Sequence, residues 1–192
     1  MYNYYERVHK VKEDYKLPKI IENVREKIIA EAKRQVEESG YESVTIRNIA
    51  RGCSLGLGTF YNYFKSKDVL IATFLLEDWQ ERISRVKAES EGENDPLAVT
   101  QMLCDEISQF IESNKKIFTA NEAIKSFNAS VGSYHKVLRA QIAEPIKSAC
   151  IAGGYEDAEF LSLFVAESTL TWVTAGKTYG ELASVFTKLF VK

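Results

Sequence analysis

Apolar residues recur at every third or fourth position along most of this chain, which is the spacing that places them on one face of an α-helix. Ile20, Val24, Ile28, Ala32 and Val36 are one such series, and the pair Ser39-Gly40 ends it. No segment shows the strict alternation of a half-buried strand. The pattern therefore predicts an all-α protein, with helices over residues 18–39, 46–51, 57–63, 67–87 and 96–112, one or two within 114–128, and others over 133–151, 157–177 and 179–190.

Two of these predicted helices are short and are separated by only a few residues. Thr45 suits the N-cap of the first, because its hydroxyl can accept from a free backbone N–H. Two glycines and a serine within residues 52–56 then break the helical pattern. In the second helix Phe60 and Phe64 lie one turn apart and can enter a core. Such a pair predicts a helix-turn-helix, whose second helix enters the DNA major groove.

Charge along the chain agrees with contact to DNA. No Asp or Glu occurs from Ser43 to Lys67, whereas Arg47, Arg51 and Lys65 are basic. Residues 1–67 hold 13 basic and 9 acidic residues, a net charge of +4, and residues 68–192 hold 12 and 18, a net charge of −6. A basic N-terminal third on an acidic remainder is typical of a protein that binds DNA at one end.

The run TIRNIA, from Thr45, and the run GTFYNYFKSKD, from Gly58, resemble the DNA-binding domain of the TetR/AcrR family of bacterial transcriptional regulators. The resemblance implies a three-helix DNA-binding domain at the N-terminus, fused to a C-terminal helical domain that binds a ligand and dimerises. We therefore expect a tail over residues 1–17, the helix-turn-helix domain over 18–66 and the regulatory and dimerisation domain over 67–192.

By this resemblance Thr45 and Arg47 open the first short helix against the DNA backbone and nearby bases, and Tyr61 and Lys67 contact phosphates. The predicted DNA-binding set is completed by Leu57, Gly58, Thr59, Asn62, Tyr63 and Lys65. At the turn, Ser54-Leu55-Gly56 stands where the family usually has Gly-Val-Ser. Ser54 is then expected in a left-handed backbone conformation, at a cost of roughly 1 kcal/mol.

The last two predicted helices carry apolar residues on more than one face, which indicates either a partner subunit or burial within the same bundle. The family dimerises through these helices. The predicted dimer interface is Leu161, Val165, Trp172, Leu182, Val185, Phe186 and Leu189.

The resemblance also implies an apolar ligand pocket among the middle helices, although each candidate has the alternative of being an ordinary core residue. The candidates for contact with a small molecule are Trp79, Met102, Tyr134, His135 and Trp172.

The chain lacks the sequence signatures of nucleotide loops, zinc proteases and CxxC sites, and its two histidines, His9 and His135, are far apart. We therefore expect a binding protein rather than an enzyme, with no metal and no cofactor. Three separated cysteines, Cys53, Cys104 and Cys150, favour a reducing cytoplasm. No apolar run approaches 20 residues, so no membrane span is predicted.

These observations predict a cytoplasmic, ligand-responsive repressor that binds a near-palindromic DNA operator as a homodimer and is released by a small-molecule effector. The alternative is a regulator with the same fold that acts through a partner protein rather than through DNA. The unusual turn at Ser54-Leu55-Gly56 is the feature that favours this alternative. The basic and Tyr-rich residues 1–17 are either a tail or an arm that touches DNA.

Overall fold

The structure is a computed structural model that describes residues 23–191, except for the side chains of residues 122–135. Over the described residues it is all-α with no strand, which confirms the predicted fold class. The predicted tail over residues 1–17, the predicted helix start at Pro18 and the side chains of Tyr134 and His135 lie outside this description.

Nine helices follow one another over residues 24–189 of the described part. They are α1 (Val24–Ser39), α2 (Ile46–Gly52), α3 (Leu57–Tyr63), α4 (Lys67–Glu89), α5 (Pro96–Ser113), α6 (Lys115–Phe118), α7 (Asn121–Ala152), α8 (Ala158–Thr174) and α9 (Tyr179–Leu189). A 3-10 turn (Tyr41–Ser43) links α1 to α2. Among these residues no helix is long and apolar enough to cross a membrane.

Local capping explains why several predicted helix starts agree with the structure. Ser66 Oγ accepts from the Val69 N–H at 3.1 Å and begins α4, and Asp95 Oδ1 accepts from the Leu97 N–H at 2.9 Å and begins α5. A capping box of Thr178 and Glu181 begins α9. Each cap depends on residues two or three positions apart, so the sequence alone can reveal it.

The expected break over residues 128–133 is wrong, because α7 runs without interruption from Asn121 to Ala152. The stretch NASVGS at these positions is predicted to interrupt the helix. One glycine inside a helix costs only about 1 kcal/mol relative to alanine, which a helix of this length tolerates.

Two apolar cores divide the protein. The first is built by α1, the 3-10 turn, α2, α3, the first half of α4 and α6, and the second by the rest of α4 with α5, α7, α8 and α9. Leu70, Ile71, Phe74 and Leu75 of α4 belong to the first core, so the expected domain boundary at residue 67 does not separate the two cores. Trp79 and the residues after it belong to the second core. Helix α4 is therefore shared by both cores.

Aromatic contacts join the cores where α4, α5 and α6 meet. Phe110 packs against both cores, and its ring lies 5.5 Å from that of Trp79 and 5.6 Å from that of Phe118 between centroids. Both pairs are edge-to-face, the favourable arrangement for aromatic rings. Ile117 of α6 is buried in the first core beside α1 and α4.

Candidate nucleic-acid interface

Helix α2 begins at the cap expected from the sequence. Thr45 has an extended backbone (φ −128°, ψ 148°), and its hydroxyl accepts from the Asn48 N–H at 3.2 Å. Asn48 in turn accepts from the Arg51 guanidinium at 3.0 Å. Arg47 lies between these groups in sequence and is exposed. The first turn of α2 therefore presents a cation from a firmly capped helix end.

The turn between α2 and α3 is a Schellman motif with serine in the position that normally holds glycine. Ser54 has φ 57°, as expected from the sequence, and its N–H donates to the Arg51 carbonyl at 3.0 Å. The Leu55 N–H donates to the Ala50 carbonyl at 2.8 Å. Gly56, with φ −71° and ψ 150°, then serves as N-cap of α3. The unusual residues therefore form a regular, fully bonded turn.

Helix α3 separates cleanly into a buried and an exposed side. Phe60 is completely buried, and Phe64, just beyond the helix end, is also buried. The predicted DNA-binding residues of α3 are all exposed, namely Leu57, Gly58, Thr59, Tyr61, Asn62 and Tyr63. Lys65 is exposed beside them and donates to the Tyr61 carbonyl at 3.3 Å. Each of these predicted residues is therefore accessible to solvent.

Lys67 lies at the start of α4 and is half-buried. Its ammonium donates to the Tyr41 carbonyl at 3.3 Å and lies 4.1 Å from the centroid of the Tyr41 ring. The Tyr41 hydroxyl also donates to Asp68. Sequence reasoning did not find this role of Tyr41, because 26 residues separate it from Lys67.

Glu31 is a second residue that sequence reasoning missed. Its carboxylate accepts from Arg34 Nε at 2.9 Å, from Arg34 Nη2 at 2.7 Å and from Gln35 at 2.7 Å, and the Arg34 bonds above all lower its pKa to about 2. It lies against Gly52, where a Cβ would be only 2.1 Å from Glu31 Oε1. The absence of a side chain at Gly52 therefore lets this carboxylate approach α2.

The same groups border a polar cleft of about 460 Å³ between α1 and α2. Beside it, Cys53 is partly buried and its thiol donates to the Lys27 carbonyl at 3.4 Å. Burial, together with the negative charge of Glu31, raises the pKa of Cys53 above its ordinary value of 9.0. A raised pKa lowers the thiolate fraction, so this cysteine is poorly suited to act as a redox switch.

The ligand candidates occupy different environments. Trp79 is buried, and its Nε1–H donates to Gln141 Oε1 at 2.8 Å. Met102 is half-buried and packs against the second core. Trp172 is 48% exposed on α8, which removes it from the set that could line an interior pocket.

The residues predicted to form the dimer interface differ in how deeply they are buried. Val165, Leu182 and Phe186 are buried inside their own protomer, so they cannot be the contact surface for a partner. Leu161 and Leu189 are half-buried, and Trp172 and Val185 are exposed.

Helix α8 instead exposes the large apolar residues Phe160, Leu163 and Phe164, while Ser162 and Thr169 face the core. The prediction missed this orientation because α8 is apolar on nearly every side, so the spacing of its apolar residues does not indicate which side is buried.

The fold and the exposed side of α3 place this protein in the class of all-α proteins with an N-terminal helix-turn-helix. Residues 28–73 match the family model described as "Bacterial regulatory proteins, tetR family". Residues 28–73 therefore carry the signature of the TetR family.

Known transcriptional regulators match part of this chain. The chain is 31% identical over 68 residues to the HTH-type transcriptional regulator UidR of Escherichia coli (strain K12), a match that spans 35% of each protein. It is 30% identical over 101 residues to the uncharacterized HTH-type transcriptional regulator YvdT of Bacillus subtilis (strain 168), spanning 53% of this chain and 52% of YvdT. The matches thus span about a third to a half of these relatives.

Solved structures share the fold over most of the chain. FadR of Thermus thermophilus, a TetR-family repressor solved with lauroyl-CoA, is 20% identical with a TM-score of 0.58, over 86% of this chain and 92% of FadR. A TetR transcription regulator from Haloarcula marismortui is 22% identical with a TM-score of 0.56, over 88% and 95% of the two chains.

Proposed function

We propose that this protein is a ligand-responsive transcriptional regulator that binds DNA through α2, α3 and the start of α4. The observation that carries the proposal is the surface of α3, where Leu57, Thr59, Tyr61 and Tyr63 are exposed while Phe60 anchors the helix in the core. The absence of carboxylates from residue 43 to 67 supports it, because acidic groups there would repel phosphates. The protein acts by binding rather than by catalysis, in the cytoplasm where its DNA target lies.

The first experiment measures binding to a random-sequence DNA duplex as salt is varied. We expect affinity to fall steeply with salt, because basic residues displace counterions from phosphates. Lys67→Ala should weaken binding and lower the salt slope by about one, and Tyr61→Phe should weaken binding because it removes the hydroxyl proposed to contact a phosphate. Lys136→Ala, which removes an exposed lysine from α7, is the matched control and should change neither quantity.

The same experiment separates the proposal from its alternative. A regulator that works through a partner protein would show no salt-dependent affinity for duplex DNA. The regular Schellman turn at Ser54 supports DNA binding here, since the unusual residues leave the helix-turn-helix intact.

Sequence specificity is proposed to come from Arg47 and the N-terminal part of α3. Arg47 has a planar guanidinium able to make a bidentate contact to guanine, worth ~1–3 kcal/mol, whereas Leu57 and Thr59 offer apolar contact to thymine methyls and one short hydroxyl bond. Gly58 has open space around it and allows close approach of the backbone. Selection from a random DNA library, with wild type and Arg47→Ala, tests this assignment. A variant that keeps every base preference and loses only affinity would limit Arg47 to phosphate contact.

A homodimer is proposed to form through the exposed faces of α8 and α9. Phe160 and Phe164 stack on each other with centroids 6.2 Å apart, and Phe160 is 67% exposed. Helix α8 exposes these large aromatic side chains to solvent while its small polar residues Ser162 and Thr169 are buried, and such an exposed apolar surface indicates that a partner covers it. Two-fold symmetry then places two α3 helices on a near-palindromic operator, with half-sites about one helical turn (~34 Å) or a multiple of it apart.

The dimer is tested by sedimentation of Leu163→Glu, with Leu76→Glu as the matched control. Both leucines are about equally exposed, Leu163 at 47% on α8 and Leu76 at 42% on α4. A charge buried at an interface without a partner costs several kcal/mol, so Leu163→Glu should be monomeric and Leu76→Glu dimeric. A dimeric Leu163→Glu variant would place the interface elsewhere.

A small-molecule effector is proposed to release DNA, acting as an inducer on a repressor. Helix α4 supports this mechanism, because it belongs to both cores and carries Lys67 at its first residue. An effector that binds the DNA-free conformation more tightly by only ~1–3 kcal/mol is enough to couple its own site to the DNA-binding surface.

The effector is tested with Trp172→Phe, which leaves buried Trp79 as the only tryptophan of the chain. Lauroyl-CoA, the ligand named for the T. thermophilus FadR structure, is a first probe. Release of DNA together with a change in Trp79 fluorescence would support a ligand site beside α4.

A further inference from the structure

The start of α4 holds a cation where a helix does not favour one. Lys67 is the first residue of α4, at the positive end of the helix dipole, and its side chain is half-buried. Buried lysines are rare unless another group compensates the charge. The structure must therefore supply a group that holds the Lys67 ammonium in place.

Tyr41 supplies it through three separate contacts. Its carbonyl accepts from Lys67 Nζ at 3.3 Å, its ring centroid lies 4.1 Å from the same atom, and its hydroxyl donates to Asp68. Tyr41 is itself 2% exposed, in the 3-10 turn that precedes α2. This one residue thus ties the beginning of α4 to the segment that leads into α2.

We propose that Tyr41 is a positioning residue that fixes the Lys67 ammonium for contact with a DNA phosphate. The inference rests on the proposed DNA binding. A free lysine side chain loses rotamer freedom when it binds, and a side chain already held on an aromatic ring loses less.

A double-mutant cycle on duplex DNA tests the proposal. Tyr41→Leu removes the ring and hydroxyl, and Tyr41→Phe keeps the ring. We expect Tyr41→Leu to weaken binding roughly two- to tenfold, the effect of ordering one long side chain. Tyr41→Phe should stay closer to wild type. In the Lys67→Ala background Tyr41→Leu should have little further effect.

A merely structural role for Tyr41 predicts the same loss of affinity in both backgrounds, and that result would overturn the proposal. Unchanged affinity of a folded Tyr41→Leu variant would also overturn it. If the wild type shows no salt-dependent DNA binding at all, the proposed function fails first, and this outcome is distinct from a failed cycle in a protein that binds.

A measurement on the wild type keeps the test independent of any folding defect in Tyr41→Leu. Protons beside Lys67 Nζ, held over the Tyr41 ring, should show an upfield ring-current shift by NMR, identified by its loss in Lys67→Ala. We expect the shift to persist when the random duplex is bound. Its loss on binding would mean that the lysine leaves the ring to reach DNA, and the positioning role would be refuted.

Discussion

Replacing Ser54 by glycine should stabilise this protein, because Ser54 occupies a left-handed backbone conformation (φ 57°) at the end of α2. That conformation costs an L-residue about 1–2 kcal/mol, and glycine adopts it without steric penalty. Glycine also increases the entropy of the unfolded chain, which offsets about 0.5–1 kcal/mol of this stabilisation. The net expected effect is an increase of roughly 0.5–1 kcal/mol in the free energy of unfolding.

The other contacts of the turn should survive this change. The hydrogen bonds from the Ser54 and Leu55 N–H groups are backbone bonds, so the Schellman motif stays intact in Ser54→Gly. DNA binding should therefore remain at the wild-type level. The variant differs from wild type in the cost of its backbone conformation and in the entropy of its unfolded chain.

The assay is urea unfolding at a fixed protomer concentration, because assembly changes apparent stability. The midpoint should rise with an unchanged m-value, and the melting temperature should rise by roughly 1–4 °C. Ser84→Gly is the matched control, since Ser84 is an exposed residue inside α4. Glycine there should lower stability by about 0.5 kcal/mol. A Ser54→Gly variant no more stable than wild type, beside a control that behaves as expected, would refute the reasoning.

Three further predictions concern the cleft between α1 and α2. Gly52→Ala should lower the free energy of unfolding, because the new Cβ would lie 2.1 Å from Glu31 Oε1. In a Glu31→Ala background this clash is absent, and the same change should raise the free energy of unfolding by about 0.5–1 kcal/mol, the usual gain from replacing a helical glycine by alanine. Glu31 has a pKa of about 2 in the folded protein and 4.5 ordinarily, so its contribution is present above pH 4.5 and is lost as the pH falls towards 2. Unfolding measured across that window should depend less on pH in Glu31→Gln, and an unchanged dependence would contradict the assignment. Because its pKa is raised, Cys53 should react with iodoacetamide more slowly than free cysteine at pH 7.5, and its rate of alkylation should still be rising at pH 9. Peptide mass spectrometry measures the alkylation of Cys53, and a rate that reaches a plateau below pH 8 would contradict the prediction.

Short-range chemistry made the helix-turn-helix predictable from sequence. The Thr45 cap, the left-handed Ser54, the Gly56 cap and the Ser66 cap each depend on residues a few positions apart. Phe60 and the exposed residues around it divide α3 clearly into two sides. Because these signals are local, the sequence alone locates the short helices and indicates which residues of α3 are exposed.

The sequence could not show which side of α8 is exposed, because a helix that is apolar almost all round has no preferred face in its pattern. Packing against α5 and α7 decided it, leaving the small residues Ser162 and Thr169 inside and the aromatic residues Phe160 and Phe164 outside. Large side chains are excluded where helices approach closely, and hydropathy alone does not record that constraint.

Contacts between distant residues were likewise decided only by the tertiary structure. Tyr41 meets Lys67 across 26 residues, and Glu31 meets Gly52 across the cleft between two helices. Neither contact leaves a periodic trace in the sequence, because each depends on how α1, α2 and α4 are oriented around the first core. The sequence by itself thus determined the local structure of the helix-turn-helix, and the packing of the helices decided which side chains meet.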